Sequence, residues 1–155
     1  MADPIPVGKI PSGLFIITAT DGENRDGFLG SWVQQASFIP LLISMAVKSE
    51  RPALEMLRKT GRFCVNVVGH QNNGLLKPFW GKLKPGDSPL DSVSLALSER
   101  GNWILTDALA ALECETRDIA TPGDHAVVFG EVVETRLLNP EDKPMIHVRK
   151  TGAAY

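Results

Sequence analysis

The chain has 155 residues, 43% of them hydrophobic and 22% charged, with a formal net charge of −2 at pH 7. This length favours one domain, residues 1–155, with a substantial core, and the composition is that of an ordinary globular protein. The weakly negative charge, without any basic run interleaved with aromatics, argues against a nucleic-acid surface.

The first part of the chain predicts three strands after a short N-terminal segment. That segment has no positive region and no long apolar run, so we expect neither a signal peptide nor a membrane span. We therefore expect a cytoplasmic protein. The continuous apolar run Leu14–Ala19 predicts a strand buried on both faces. A polar loop over residues 20–27 leads to a second strand, Phe28–Val33, paired with the first as a hairpin. Pro40 then precedes a third strand, Leu41–Val47.

A helix and a fourth strand follow. Ser49 is predicted to cap the helix, with Pro52 in its first turn, where proline is tolerated. The helix is expected to continue to about Lys59 and to stop at Gly61. The β-branched run Phe63–Val68 predicts the next strand.

The second half of the chain is richer in strands than in helices. A shorter helix is predicted over residues 72–82, and short strands over 90–106. Longer strands are predicted at Leu109–Asp118 and His125–Leu138, the latter with a bulge or bend at Gly130, and one short strand in the tail around Met145–Val148. Crossover helices are too few for a doubly wound sheet. The order therefore favours a mainly β fold, an antiparallel, Greek-key-like barrel with a few helices at its ends.

Single residues in these strands carry further expectations. Cys64 and Cys114 lie in strands without metal-binding spacing and are predicted to be reduced core thiols. The alternation in Leu109–Asp118 places Glu113 and Glu115 on a solvated face. The chain has no dinucleotide fingerprint, no phosphate loop and no serine nucleophile elbow. Its three histidines lack paired ligand spacing, so no metal site is predicted.

Two polar segments remain as candidate binding sites. Residues 30–40 interrupt the apolar pattern, and their backbone groups at a sheet edge could bind the edge of a planar heterocycle. The alternative is a polar loop with Trp32 and Phe38 in the core, which composition alone favours. Lys48, Ser49 and Arg51 could bind a phosphate group at a helix start. The alternative there is an ordinary capped helix with solvated charges.

These segments, taken with their surroundings, resemble the flavin reductase-like family of FMN-binding split barrels. The resemblance covers nearly the whole chain, and its most specific parts are Ser31–Ser37 and the turn Gly123-Asp124-His125. The other matching stretches are Pro11-Ser12-Gly13, Lys48-Ser49-Glu50-Arg51, Phe63–Val67 and Gly130-Glu131-Val132.

The resemblance implies a role for each matching residue. The implied flavin contacts are the backbone of Ser31, Trp32, Val33 and Gln34 along the isoalloxazine, Gln35 and Ser37 toward the ring or ribityl chain, and Lys48, Ser49 and Arg51 on the phosphate. Phe79 is expected to cover the ring or the nicotinamide pocket. His125, the catalytic candidate, is expected near the place where the second substrate stacks. Relatives often carry two prolines where this chain has Ile39-Pro40, and an aromatic where it has Met145–Val148, which leaves the role of Tyr155 open.

The function implied is an NAD(P)H-dependent flavin reductase that transfers hydride from nicotinamide to FMN, with FAD as another flavin. The family pattern also implies a homodimer and an electron acceptor such as a flavin-dependent monooxygenase. One alternative is a non-catalytic FMN-binding electron carrier, or a module reduced by a partner protein, since a similar domain ends larger flavodiiron-type chains. Another is a split barrel that binds no flavin.

Overall fold

A seven-stranded antiparallel sheet forms most of the structure, a computed structural model that describes all 155 residues. Its strands are β1 (Phe15–Thr20), β2 (Arg25–Gly30), β3 (Val33–Ser37), β4 (Leu42–Lys48), β5 (Arg62–Val67), β8 (Ala110–Ala120) and β9 (His125–Leu137). A separate hairpin comprises β6 (Leu95–Leu97) and β7 (Trp103–Leu105). The helices are α1 (Pro52–Thr60), α2 (Lys77–Trp80) and three 3₁₀ turns at Pro6–Lys9, Asn73–Leu76 and Pro89–Ser92. None of them has the length and apolarity that crossing a membrane requires.

The sheet curls into a barrel that is split along one seam. Its strand order is β2-β1-β5-β8-β9-β4-β3, so β2 and β3 are the two edges. These edge strands are consecutive in the chain and are joined only by Ser31 and Trp32. The link is tied to β4 through the Ala46 N–H, which donates to the Trp32 carbonyl oxygen at 3.0 Å. The prediction of a mainly β barrel with few helices is confirmed.

Apolar side chains from the strands and from α1 fill the barrel. Its fully buried members include Ile17, Met45, Leu57 and Phe63. A second apolar cluster lies beneath the 3₁₀ turns and the β6–β7 hairpin. Ile17 of β1 belongs to the barrel core and Ile16 to the second cluster, so burial of both faces explains the continuous apolar run of the first strand.

The two cysteines are free and buried, as predicted. Burial raises the pKa of both thiols, that of Cys114 to about 12. Both therefore remain protonated at neutral pH and act as small apolar side chains.

Gly130 lies in β9, opposite Thr116 of β8. Beside it, the pairing register with β8 shifts between Thr116 and Asp118. A Cβ atom on Gly130 would lie 2.5 Å from the Phe63 Cζ, so the ring occupies the space that a side chain would need. The core therefore requires glycine here, whereas the extra residue of the register shift, Arg117, belongs to β8 rather than to β9.

Several predicted boundaries are wrong. The second strand covers Arg25–Gly30 rather than residues 28–33, and residues 33–37 form the edge strand β3 rather than leaving strand geometry. The predicted helix over 72–82 is a 3₁₀ turn followed by the single turn of α2. The tail forms no strand around residues 145–148 and is held by isolated bridges, such as the one between Ser12 and His147.

Ser49 does not cap α1, contrary to the prediction. Arg51 is the N-cap residue, and Pro52 opens the helix. The hydroxyl of Ser49 instead donates to the Asp124 carbonyl oxygen at 3.1 Å, which ties the turn after β4 to the start of β9. The predicted stop is confirmed, because Gly61 adopts a left-handed φ of 71° that glycine allows without strain.

The prediction of a solvated Glu113 is also wrong. This carboxylate is fully buried and accepts hydrogen bonds from Ser98, Asn102 and Arg136. Burial acts to raise the pKa of Glu113, but these three hydrogen bonds and the Arg136 charge outweigh it, so the pKa lies below its ordinary value.

Candidate functional site

A cavity of about 660 Å³ lies along the seam of the split barrel. Its floor is β2 with the Ser31-Trp32 link, and α1 borders one side. The opposite wall is the segment from Pro78 to Pro89, which carries the side chains of Phe79 and Trp80. The seam creates this cavity because the two edge strands diverge there without a ladder between them.

Two cationic side chains, Lys48 and Arg51, line the α1 side of the cavity. The Arg51 guanidinium lies 4.8 Å from the centre of the Phe28 ring and 4.0 Å from an oxygen of Asp26. That ion pair is long and the Arg51 side chain is 40% exposed, so N–H donors remain free to bind an anion.

The start of α1 is already occupied by a carboxylate of the chain. Asp26 accepts a hydrogen bond from the Ala53 N–H at 3.1 Å, while Pro52 has no N–H to offer. The Leu54 N–H donates to the Arg51 carbonyl oxygen. An anion in the cavity would therefore be bound by the side chains of Lys48 and Arg51 rather than by the helix start.

Three aromatic rings meet beside Lys48. The rings of Trp32 and His125 are 4.8 Å apart, and those of Trp32 and Tyr155 are 5.4 Å apart. The Arg149 guanidinium lies 5.0 Å from the centre of the Trp32 ring. This cluster brings the C-terminal segment against the cavity, and Tyr155 contributes to its lining.

The structure brings five of the predicted site residues together around the cavity. They are Ser31, Trp32, Lys48, Arg51 and Phe79. His125 lies immediately behind this lining, against Trp32 and Tyr155. Ser49 is outside the lining, because its hydroxyl bonds the Asp124 carbonyl oxygen.

The other predicted contacts lie along the edge strand β3, beyond the cavity. They are Val33, Gln34, Gln35 and Ser37. Gln34 and Gln35 are exposed, and β3 pairs only with β4, so its outer backbone edge has no partner strand. Whether these residues contact a ligand remains a prediction.

Some lining residues had no signal in the sequence. Asp26 falls in the predicted loop and Phe28 at the start of the predicted second strand, and nothing local connects them to Arg51. Trp80 lies on the cavity wall with its side chain largely exposed. Asp26 is 27 residues from the helix start that it binds, so only the tertiary fold reveals this contact. The chain has no group of three or more His, Cys, Asp or Glu side chains arranged to hold a metal ion.

The fold and this cleft define a class, the split barrels with an open cavity at the seam. The profile of the flavin reductase like domain matches residues 7–153. The chain therefore belongs to the flavin reductase like domain family. The family predicted from the residue pattern is therefore confirmed.

Similar proteins agree with this assignment. The chain is 39% identical over 151 residues to diflavin flavoprotein A 1 of Synechocystis sp., a match that covers 96% of this chain and 26% of that protein. It thus spans about a quarter of the length of the curated relatives that it matches. Among solved structures, the NADH:FAD oxidoreductase SgcE6 of Streptomyces globisporus C-1027 superposes with a TM-score of 0.83 at 24% identity, covering 96% of this chain and 87% of that one, which shows a common fold. A homologue of nitrilotriacetate monooxygenase component B from Mycobacterium thermoresistibile gives a TM-score of 0.82 at 26% identity, covering 95% and 80%.

Proposed function

We propose that residues 1–155 act as one domain that reduces flavin with NADH or NADPH, with FMN as the flavin and FAD as an alternative. The observation that carries this proposal is the cavity at the barrel seam, with Lys48 and Arg51 beside an aromatic cluster. Its volume of about 660 Å³ lies within the range of pockets that hold cofactors and drug-sized ligands. Membership of the flavin reductase like domain family supports the same reaction class.

The residues present fit a flavin mononucleotide. A phosphate dianion requires cationic or N–H donors, and Lys48 and Arg51 offer them on one side of the cavity. The planar ring requires apolar and aromatic surface, which Phe28, Trp32 and Phe79 provide. When bound, the flavin accepts hydride from the nicotinamide, and the protein supplies binding, orientation and electrostatics.

The roles of the chain's own residues follow from their positions. Lys48 and Arg51 bind and orient the phosphate. Trp32 and Phe79 cover the ring and exclude water. His125, whose Nδ1 is 2.7 Å from an oxygen of Asp124, is held in a fixed orientation next to the ring site. Hydride transfer depends on positioning, because the flavin carries the chemistry and the protein orients the reacting rings.

A second candidate function is an FMN-binding module that is reduced by a partner protein. The observation in its favour is that the diflavin flavoproteins are about four times as long as the matching region, so the homologous module there works within a larger protein. Both functions need the same flavin site. They differ in whether the domain itself oxidises a nicotinamide.

The proposal includes a homodimer in the cytoplasm that passes reduced flavin to an acceptor such as a monooxygenase. The exposed edge strand β3 ends in a turn where Phe38 and Ile39 are 84% and 94% exposed, an apolar surface suited to a second subunit. Two free cysteines fit a reducing compartment. The Mycobacterium structure is named as a homologue of a monooxygenase component, which supports a monooxygenase as the electron acceptor.

The deciding experiment combines flavin binding with steady-state oxidation of NADH and NADPH. Purified protein is expected to bind FMN in a spectral titration and to oxidise the nicotinamide with FMN, FAD and riboflavin compared as acceptors. Flavin binding without nicotinamide oxidation would favour the module reduced by a partner. Absence of flavin affinity would refute both candidate functions.

A further inference from the structure

Three hydrogen-bonded side chains run from the protein surface to the cavity. The Nδ1 atom of His125 lies 2.7 Å from an oxygen of Asp124, and its Nε2 atom is hydrogen-bonded to the Tyr155 hydroxyl. Asp124 is exposed, the His125 side chain is mostly buried, and Tyr155 lines the cavity. The proposed function uses His125 but assigns nothing to Tyr155 or to this chain of contacts.

The carboxylate at the outer end determines the direction of donation. The hydrogen bond from His125 and the charge of that ring lower the pKa of Asp124, so Asp124 is ionised at neutral pH and can only accept. The proton of a neutral imidazole is therefore on Nδ1, and Nε2 carries a lone pair. Burial and the Asp124 charge raise the pKa of Tyr155, so the phenol keeps its proton and donates it to Nε2.

This direction leaves the phenol oxygen as an acceptor, on a residue that lines the cavity. The only O–H proton of Tyr155 is directed toward His125, and the lone pairs of its oxygen remain available. The ring is held in place by Trp32, 5.4 Å away, and by Lys48, whose Nζ is 5.5 Å from the ring centre. A ligand group that donates a hydrogen bond is what this oxygen can recognise.

The exposure of the cavity walls indicates which ligand supplies that group. The floor residues Phe28 and Ser31 are buried, whereas Tyr155 is 69% exposed and lies at the open side. A substrate that enters and leaves with each turnover meets the exposed wall, while the flavin ring needs the floor. The nicotinamide of NADH or NADPH carries a primary carboxamide whose N–H groups are donors.

We propose that Tyr155 positions the nicotinamide by accepting a hydrogen bond from its carboxamide N–H, and that Asp124 and His125 hold the phenol in this accepting role. The inference rests on the proposed function and adds a substrate-positioning residue to it. It predicts that the protein recognises the dinucleotide through its amide group at the open side of the cavity.

The test replaces the hydroxyl alone. Tyr155→Phe keeps the ring against Trp32 and removes the acceptor. At saturating FMN, the KM for NADH is expected to rise about two- to tenfold, the worth of one uncharged hydrogen bond, with kcat nearly unchanged. The Kd for FMN is expected to stay the same.

A modified substrate makes the test specific for the amide. Reduced 3-acetylpyridine adenine dinucleotide has a methyl group in place of the carboxamide nitrogen and cannot donate. Its KM is therefore expected to be equal in the wild type and in Tyr155→Phe.

A second variant tests Asp124, at the outer end of the three hydrogen-bonded side chains. Asp124→Ala leaves His125 without its Nδ1 acceptor, so the imidazole is free to carry its proton on Nε2 and compete for the phenol oxygen. A smaller rise in KM for NADH is expected, again without effect on the acetyl analogue. Asp118→Ala, at an exposed carboxylate on β8, is the matched control and is expected to change nothing.

Three results would overturn the inference. An equal rise in KM for both dinucleotides would mean that Tyr155 acts through packing. A weaker Kd for FMN in Tyr155→Phe would place the phenol against the flavin. An unchanged KM for NADH in both variants would show that the phenol oxygen binds no substrate. Failure of the proposed function would appear instead in the wild type, as flavin binding without NADH or NADPH oxidation.

Discussion

Replacing Arg51 with alanine is expected to weaken FMN binding far more than riboflavin binding. The Arg51 guanidinium lines the cavity, and its nearest protein anion, Asp26, is 4.0 Å away, so its donors are available to a phosphate. Riboflavin has the same ring and ribityl chain as FMN but no phosphate. The comparison therefore isolates the contact that Arg51 is proposed to make.

The expected size follows from the exposure of the site. A hydrogen bond between charged partners contributes about 1.5–3 kcal/mol when it is well shielded. The Arg51 side chain is 40% exposed, and screening by solvent lowers the contribution to about 1–2 kcal/mol. This corresponds to an FMN Kd that is about 5- to 30-fold weaker, while the riboflavin Kd is expected to change by less than about twofold.

The assay is titration of each flavin with protein, followed by flavin fluorescence at low and high ionic strength. Arg58→Ala is the matched control, since Arg58 lies on α1, the helix that Arg51 precedes, and pairs with Glu55 at 3.0 Å outside the cavity. Equal weakening of FMN and riboflavin would refute the phosphate assignment. Arg51 would then act by shaping the cavity through its contact with Phe28.

Three further predictions concern stability and assembly. Glu113→Gln is expected to lower the free energy of unfolding at pH 7 by about 2 kcal/mol. Because the folded-state pKa of Glu113 is lowered, its contribution is present above the unfolded-state pKa of about 4.3 and is lost as the pH falls further. Denaturation curves should converge with the wild type at acid pH, and a constant difference would contradict this. Gly130→Ala is expected to cost about 1–3 kcal/mol in urea denaturation, since its Cβ would meet Phe63, and adding Phe63→Leu should recover part of the loss. Phe38→Ser with Ile39→Ser is expected to shift the sedimentation coefficient from dimer to monomer, and an unchanged dimer would place the interface elsewhere.

The strand and helix content followed from local patterns wherever local chemistry decides the conformation. The run from Leu14 to Ala19 is apolar at every position but one, because both faces of β1 are covered. Gly61 marks the end of α1 because only glycine enters the left-handed region without strain. The antiparallel barrel was predictable from the scarcity of crossover helices.

The wrong predictions concern residues whose conformation or burial depends on a partner that is distant in the sequence. An edge strand exposes both of its faces, so Gln34 and Gln35 of β3 are polar. The sequence of residues 33–37 therefore predicted a loop. The sequence predicted Glu113 to be a surface residue because the alternation of its own strand places it on the polar face. Its partners Ser98 and Arg136 are 15 and 23 residues away.

The candidate site shows the same division. The residue order around Ser31, Lys48 and Arg51 indicated the family and, with Phe79, five of the residues that line the cavity. The contact of Asp26 with the start of α1 and that of His125 with Tyr155 were not predictable, because they join residues 27 and 30 positions apart.

The sequence by itself determined the class of fold, since this depends on local periodicity and residue type, and its resemblance to a known family pointed to Ser31, Trp32, Lys48 and Arg51, which line the cavity. The tertiary structure decided that a cavity lies along the seam between β2 and β3, that Asp26 binds the start of α1, and that Tyr155 reaches this cavity. Each of these depends on which strands become neighbours when the sheet curls, and local patterns do not encode that order.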